Sequence, residues 1–494
     1  MRHMVLRALA LVPLLVMTAA LGSRADDGPP TAGILERLVH QSRVYNTSRT
    51  GATPSFVVDP TWPQPLPHSW LLGQIGGLYV DRHDHVWVYN RARTLTNDEL
   101  GLQKALPGVT NAKGQAIEAL GHARVDGFGA DCCRAAPAVL EFDAGGSLVR
   151  AWGGPSDPGW LAAHCKEEDG CIWPNVEHGI YVDDRDNVWI AGNSSEVPKD
   201  LGAWTTNRHG GDGFVLKFDM DGNFKMRIGG TPTAAASNDT DGGVNGTPLL
   251  FRPADMTVDG RTHRLYVADG YGNRRVLILD ADTGKYIGHF GAYGQNPVDD
   301  AAAQLAGSWM DDYARGNTRP AYFRSPVHCV KITDDGRIYV CDRGNDRIQV
   351  FDGRDPALGK PCSNPAGEAG KCGYLAERSI SGHTYAFPVM PGTAVSVNFS
   401  TDREQSCLYV GDNTNQTIYI LNRDNLQELG RLGRGGRMAG DFHWLHQVGI
   451  DSGGNIYTAE VDTGKRLQKF LRYGARGCSG TGSEEVGGEA KENQ

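Results

Sequence analysis

At 494 residues, with 40% hydrophobic and 22% charged residues and 65 glycines, the chain has the apolar content for a sizeable core and the turn residues of a strand-rich fold. Its formal charge of -9, without any long basic run, excludes nucleic acid as a partner, because phosphate binding needs clustered Lys and Arg. Beyond residue 30 no apolar stretch approaches the about 20 residues needed to span a bilayer.

The chain opens with Arg2 and Arg7, an apolar run from Ala8 to Leu21 and small residues up to Ala25. That is the pattern of a secretory signal over residues 1–25; Pro13 and the shortness of the run argue against a retained anchor. The mature protein is therefore expected to be exported, to the periplasm or outside the cell, and to have no stable membrane span. Ten cysteines fit such an oxidising compartment. Cys165 with Cys171 and Cys362 with Cys372 read as local clips, while Cys329 and Cys341 flank the turn Asp334-Asp335-Gly336 as if facing across a hairpin. The adjacent Cys132 and Cys133 are expected to find partners elsewhere, and Cys407 and Cys478 have no evident mates.

From residue 70 onward one phrase recurs: an alternating apolar strand, a tight Asp/Gly/Asn turn, and a second strand rich in Val, Ile, Tyr and Trp. The copies are GLYVDRHDHVWVYN from Gly77, GIYVDDRDNVWIAGN from Gly179, DMTVDGRTHRLYVADG from Asp255, CVKITDDGRIYVCD from Cys329, SVNFSTDREQSCLYVGD from Ser396 and QVGIDSGGNIYTAE from Gln447. Most are followed by a third strand and a further turn, as in VLEFDAGGSLVRAWG from Val139. About four strands per copy and six copies make an all-β, six-bladed β-propeller over residues 55–473. The last copy lacks an outer strand, which Ser55-Phe56-Val57-Val58 can supply to close the ring. The stretch from Asp352 to about Gly392 reads as an insert, and the tail 476–494, rich in Gly and Glu, as disordered.

Aligning the copies at the start of the first strand gives Gly76, His178, Ala254, His328, Ala394 and His446. Blades of a six-fold ring stand about 60° apart, so blades two, four and six place three imidazoles at about 120° around the channel. Three neutral imidazole nitrogens fill three positions of a tetrahedral zinc site and leave the fourth for water or substrate. With only 15 histidines in the chain, three in one column on alternate blades is not an effect of composition. Just past the second strand stand Arg91 in blade one and Arg343 in blade four, with Tyr271 beyond the same point in blade three. Because the second strand runs antiparallel to the first, these side chains return to the histidine mouth.

The copies resemble NHL repeats, and the constellation is similar to that of the peptidylglycine alpha-amidating lyases, six-bladed zinc propellers that cleave peptidyl-α-hydroxyglycine to a peptide amide and glyoxylate. The matching stretches are VADGYGNRRV around Tyr271, VHCVKITDDGRIYVCDRGNDRIQVF from Val327, EHGIYVDD from Glu177, LHQVGID from Leu445 and VYNRA ending the second strand of blade one. The resemblance implies zinc on His178, His328 and His446, Tyr271 as the base acting on the α-hydroxyl, and Arg91 and Arg343 holding the substrate's charge. Two departures stand out. Gln447 replaces the aspartate that helps that family bind a structural calcium, which puts calcium in question, and Gly272 replaces a family cysteine. No copper monooxygenase segment accompanies the propeller, so a hydroxylated substrate is expected to come from elsewhere.

The expected partner is thus a small-molecule or peptide substrate, bound by a monomer. A non-catalytic NHL propeller binding a protein or glycan is the competing reading. A calcium lactonase would need carboxylates converging in the channel, where the column supplies histidines instead.

Overall fold

The computed structural model describes residues 46–48, 53–96, 98–101, 132–197, 206–232, 238–297, 320–380 and 392–478. The expected signal segment 1–25 and all but the first residues of the tail 476–494 lie outside them.

Near-continuous apolar runs such as Val86–Tyr89 and Val276–Leu279 make strands that bury both faces between neighbouring sheets. Six sheets with four blade strands each result. Blade one comprises Gln74–Val80, Val86–Arg91, Val139–Phe142 and Leu148–Trp152, and blade two Glu177–Val182, Asn187–Gly192, Gly213–Asp219 and Phe224–Gly230. Blade three spans Asp255–Asp259 to Tyr286–Phe290, blade four Val327–Ile332 to Tyr374–Ser379, and blade five Ala394–Phe399 to Glu428–Leu432. Blade six takes Leu445–Ile450, Ile456–Glu460 and Leu467–Tyr473 from the end of the chain and Ser55–Asp59 from its beginning. The last two pair antiparallel from Ser55 with Tyr473 to Asp59 with Lys469, so the ring closes through the early segment as the sequence implied. Among the described residues the single α-helix is Pro158–His164, started by Pro158 and capped by Asp157, whose side chain accepts from the Trp160 N–H.

Apolar layers between blades hold the ring together. Trp87 and Tyr89 of blade one pack with Ile180, Val188, Ile190 and Phe214 of blade two, all buried. Burial of each such side chain contributes about 1.5–3 kcal/mol.

The structure changes four details of the sequence reading. Tyr374–Ser379 is the outer strand of blade four, so the stretch taken as an insert contains a blade element; the loop before it separates the strand from its repeat. Asn46–Ser48 adds a fifth strand to blade five. Cys132 and Cys133 are bonded to each other, with Cα atoms 3.7 Å apart, rather than to distant partners. Cys407 and Cys478 are mates, joined across a separation of 71 residues that hides the pair in sequence. The bridges Cys165–Cys171, Cys329–Cys341 and Cys362–Cys372 are as spacing suggested.

Candidate metal centre

The inner strands of five blades carry a β-bulge at their start, and the bulge aims the site. In blade four Val327 pairs with Asp342 and Cys329 with Cys341, leaving His328 as the extra residue. Blade six repeats this with His446, between the pairs Leu445 with Glu460 and Gln447 with Ala459. A bulged residue is freed from the alternation of the ladder and can turn its side chain in a direction regular strand geometry forbids. In blade five the pairs are Ala394 with Asp412 and Ser396 with Gly411. The residue in the histidine column there is therefore Val395, one step from Ala394, the longer turn between Phe399 and Cys407 having offset this copy against the others.

The three histidines meet. Their ligand-capable nitrogens all lie within 4.8 Å of one another, and all three side chains are buried. Ring centroids are 5.0 Å apart for His178 and His328, 5.0 Å for His178 and His446, and 4.8 Å for His328 and His446. His178 donates through Nδ1 to the Ala254 carbonyl at 2.7 Å, and His328 through Nδ1 to the Val395 carbonyl at 2.6 Å. A carbonyl only accepts, so Nδ1 carries the hydrogen and each Nε2 turns its lone pair toward the centre. These outer contacts fix tautomer and orientation as metal-binding histidines require. The Nε2 atoms of His328 and His446 lie 3.1 Å apart, and the Nδ1 of His446 is buried without a partner. Burial, reinforced by Arg91 and Arg343 and, for His178 and His446, by neighbouring histidines, holds all three imidazoles well below the usual histidine range, in the neutral form that binds metal. Donor set, tautomers and protonation all fit a bound cation.

Around the centre stand the other residues singled out in the sequence. The Tyr271 hydroxyl donates to His178 Nε2 at 3.1 Å and accepts from Arg343 Nη1 at 3.4 Å. Arg91 donates through Nε to the Glu177 carbonyl at 2.5 Å and through Nη1 to Gln74 at 3.1 Å. Gly76 is small for a reason visible here: a Cβ on it would lie 2.4 Å from the Glu177 carbonyl oxygen and 3.0 Å from Arg91 Nε. Gly272, where the family cysteine is absent, admits the Phe251 ring, which a Cβ would meet at 1.9 Å.

Two neighbours were missed. Asp462 accepts from Gln74 Nε2 at 3.5 Å, and Arg91 and Arg343 oppose the rise that burial imposes on its pKa. It lies just past the second strand of blade six, as Tyr271 does in blade three, and the same column inspection would have found it. Arg252 holds its guanidinium carbon 5.3 Å from the centre of the Tyr271 ring. It sits in a loop before Pro253, where no repeat marks it.

A second group, Asp81, His85 and Glu141, is also close enough for a metal, but its acceptors are engaged. Glu141 is bound by His85 at 2.6 Å and Arg150 at 2.5 Å, and Asp81 by Trp87 Nε1 at 2.8 Å. A guanidinium already supplies the positive charge there. No carboxylate belongs to the histidine group.

Fold and centre together define a six-bladed β-propeller with a buried triple-histidine group that could bind a metal. Residues 327–351 match the NHL repeat model, and parts of the chain are similar at low identity to amidating enzymes and to NHL repeat-containing proteins. It is 24% identical over 261 residues to peptidyl-glycine alpha-amidating monooxygenase B of Xenopus laevis, covering 50% of this chain and 25% of that protein. Over 151 residues it is 30% identical to monooxygenase A of the same species, covering 28% of this chain and 14% of that protein. It is 28% identical over 223 residues to NHL repeat-containing protein 3 of Mus musculus, 44% of this chain and 45% of that protein. The chain thus spans less than half the length of these relatives.

Proposed function

We propose that this protein is an exported, zinc-dependent carbon–nitrogen lyase of the amidating-lyase type, cleaving an α-hydroxyglycine amide, R–CO–NH–CH(OH)–COO⁻, to R–CO–NH₂ and glyoxylate. The observation that carries the reading is the Tyr271 hydroxyl poised 3.1 Å from His178 Nε2 within a group of three converging, neutral imidazoles. His178, His328 and His446 would hold zinc, which supplies Lewis-acid polarisation of a substrate oxygen. Tyr271, once its own proton has passed to solvent, stands where its oxygen can take the hydroxyl proton, kept in place by Arg343. As that proton leaves, the C–O bond becomes a carbonyl, the C–N electrons leave on nitrogen, and nitrogen takes up one proton. No oxidant or co-reactant is needed. Arg91 and Arg343 offset the carboxylate that departs as glyoxylate. Five disulfides and the leader-like residues 1–25 support export.

Elemental analysis of purified protein should find about one zinc per chain, and a hydroxyglycine peptide should release glyoxylate only with metal present. Full activity in metal-free protein would end this reading. Likeness to NHL repeat-containing protein 3 favours instead a propeller that binds a protein or glycan without turnover; on that reading His328→Ala leaves ligand binding intact.

A further inference from the structure

We infer that Arg252 fits this mouth to substrates whose acyl group itself ends in a carboxylate, so that the whole substrate is a dianion. The inference rests on the lyase reading for the α-hydroxyglycine half and adds the identity of the other half.

Arg252 has φ 62°, in the left-handed region where glycine is at ease and a long side chain is strained. Its backbone is gripped on both sides: its N–H donates to the Asp212 carbonyl at 2.9 Å and its carbonyl accepts from the Tyr271 N–H at 3.2 Å. The side chain is anchored through Nε, which donates to the Asn193 carbonyl at 2.7 Å. With Nε fixed, the planar group stands off the face of Tyr271, and Nη1 and Nη2 have no hydrogen-bond partner among the described residues. The Asp212 carboxylate behind it is spent on the N–H groups of Asn175, Val176 and Ser194.

Charges at the mouth are unbalanced. Among the described residues, the carboxylates near these arginines, Arg91, Arg252 and Arg343, are the buried Glu177 and Asp212 and the half-buried Asp462, which acts on Arg91 and Arg343 and not on Arg252. The substrate's own α-carboxylate belongs with the pair flanking the reacting carbon. Arg252, held over the ring rather than at the hydroxyl, addresses a group farther along the substrate. A preorganised guanidinium edge with two free N–H directions matches a carboxylate in bidentate fashion.

The test compares two unreactive probes of equal chain length, N-succinylglycine and N-butyrylglycine, titrated by calorimetry into the full chain as purified. Wild type should bind the succinyl compound about tenfold or more tightly than the butyryl one. Arg252→Gln should bring that ratio to within about twofold of one, and Arg252→Lys should restore part of it. With the hydroxylated counterparts the same preference should appear in KM rather than kcat. A wild-type ratio near one, or a ratio that survives in Arg252→Gln, overturns the inference. Failure of both hydroxylated compounds to release glyoxylate would count against the lyase reading, while the binding ratio would still decide the role of Arg252.

Discussion

The Nδ1 of His328 lies 2.6 Å from the carbonyl of Val395, the residue that holds the same bulge position in the next blade. His178 makes the same contact with Ala254, at 2.7 Å. Two of the three histidines are thus oriented by the backbone of the blade that follows. In His328→Ala, metal content measured by elemental analysis should fall to background and turnover should drop by about 10³-fold, the loss expected for several kcal/mol of electrostatic stabilisation. Circular dichroism should be unchanged, since the bulge persists without the ring.

Tyr271→Phe removes one oxygen that touches both His178 and Arg343. Metal content should be retained while kcat falls by about 10²–10⁴-fold, the usual range for a lost proton-transfer group. Steady-state kinetics with glyoxylate detection makes the comparison, and a variant with wild-type kcat would remove Tyr271 from the chemistry.

Gly76→Ala places a methyl where the Glu177 carbonyl and Arg91 already are. Denaturant titration should show a loss of about 1–3 kcal/mol, as for other overpacked sites. Because Arg91 must move, KM should rise as well.

Metal-free protein should lose stability as pH falls below about 6.5, where the unfolded chain's histidines take up protons that the buried imidazoles refuse. The contribution is fully present above that value. Below it, each histidine that stays neutral removes about 1.4 kcal/mol per pH unit. Urea midpoints measured between pH 5 and 7.5 test this, and His446→Gln should flatten the slope by one histidine's share.

Replacing Cys407 and Cys478 together by Ala should lower the free energy of unfolding by about 2–4 kcal/mol, since their bridge closes a loop of 71 residues. Thermal melts of oxidised wild type and the double variant give the difference.

Much of the ring was readable because each blade repeats one phrase, and a repeat exposes both the strand order and any column that breaks its pattern. His178, His328 and His446 stood out because bulky polar side chains interrupt a column of small residues. What stayed hidden lacked a register. Val395 was offset by the longer turn between Phe399 and Cys407, and Tyr374–Ser379 was set apart by its long preceding loop. Arg252 acts from a connecting loop, and Cys407 finds Cys478 only once blade six has folded back.

Closure of the ring by Ser55–Asp59 builds blade six from both ends of the chain. The three histidines arrive on blades two, four and six, and blade six is whole only when the beginning of the chain has returned to Leu467–Tyr473. A chain cut before Leu445 can present two of the imidazoles and not the third. Were a cation held at the axis, His446 would tie its capture to blade six, and proteolysis before residue 60, which frees that blade's outer strand, should loosen the ion before the remaining blades melt.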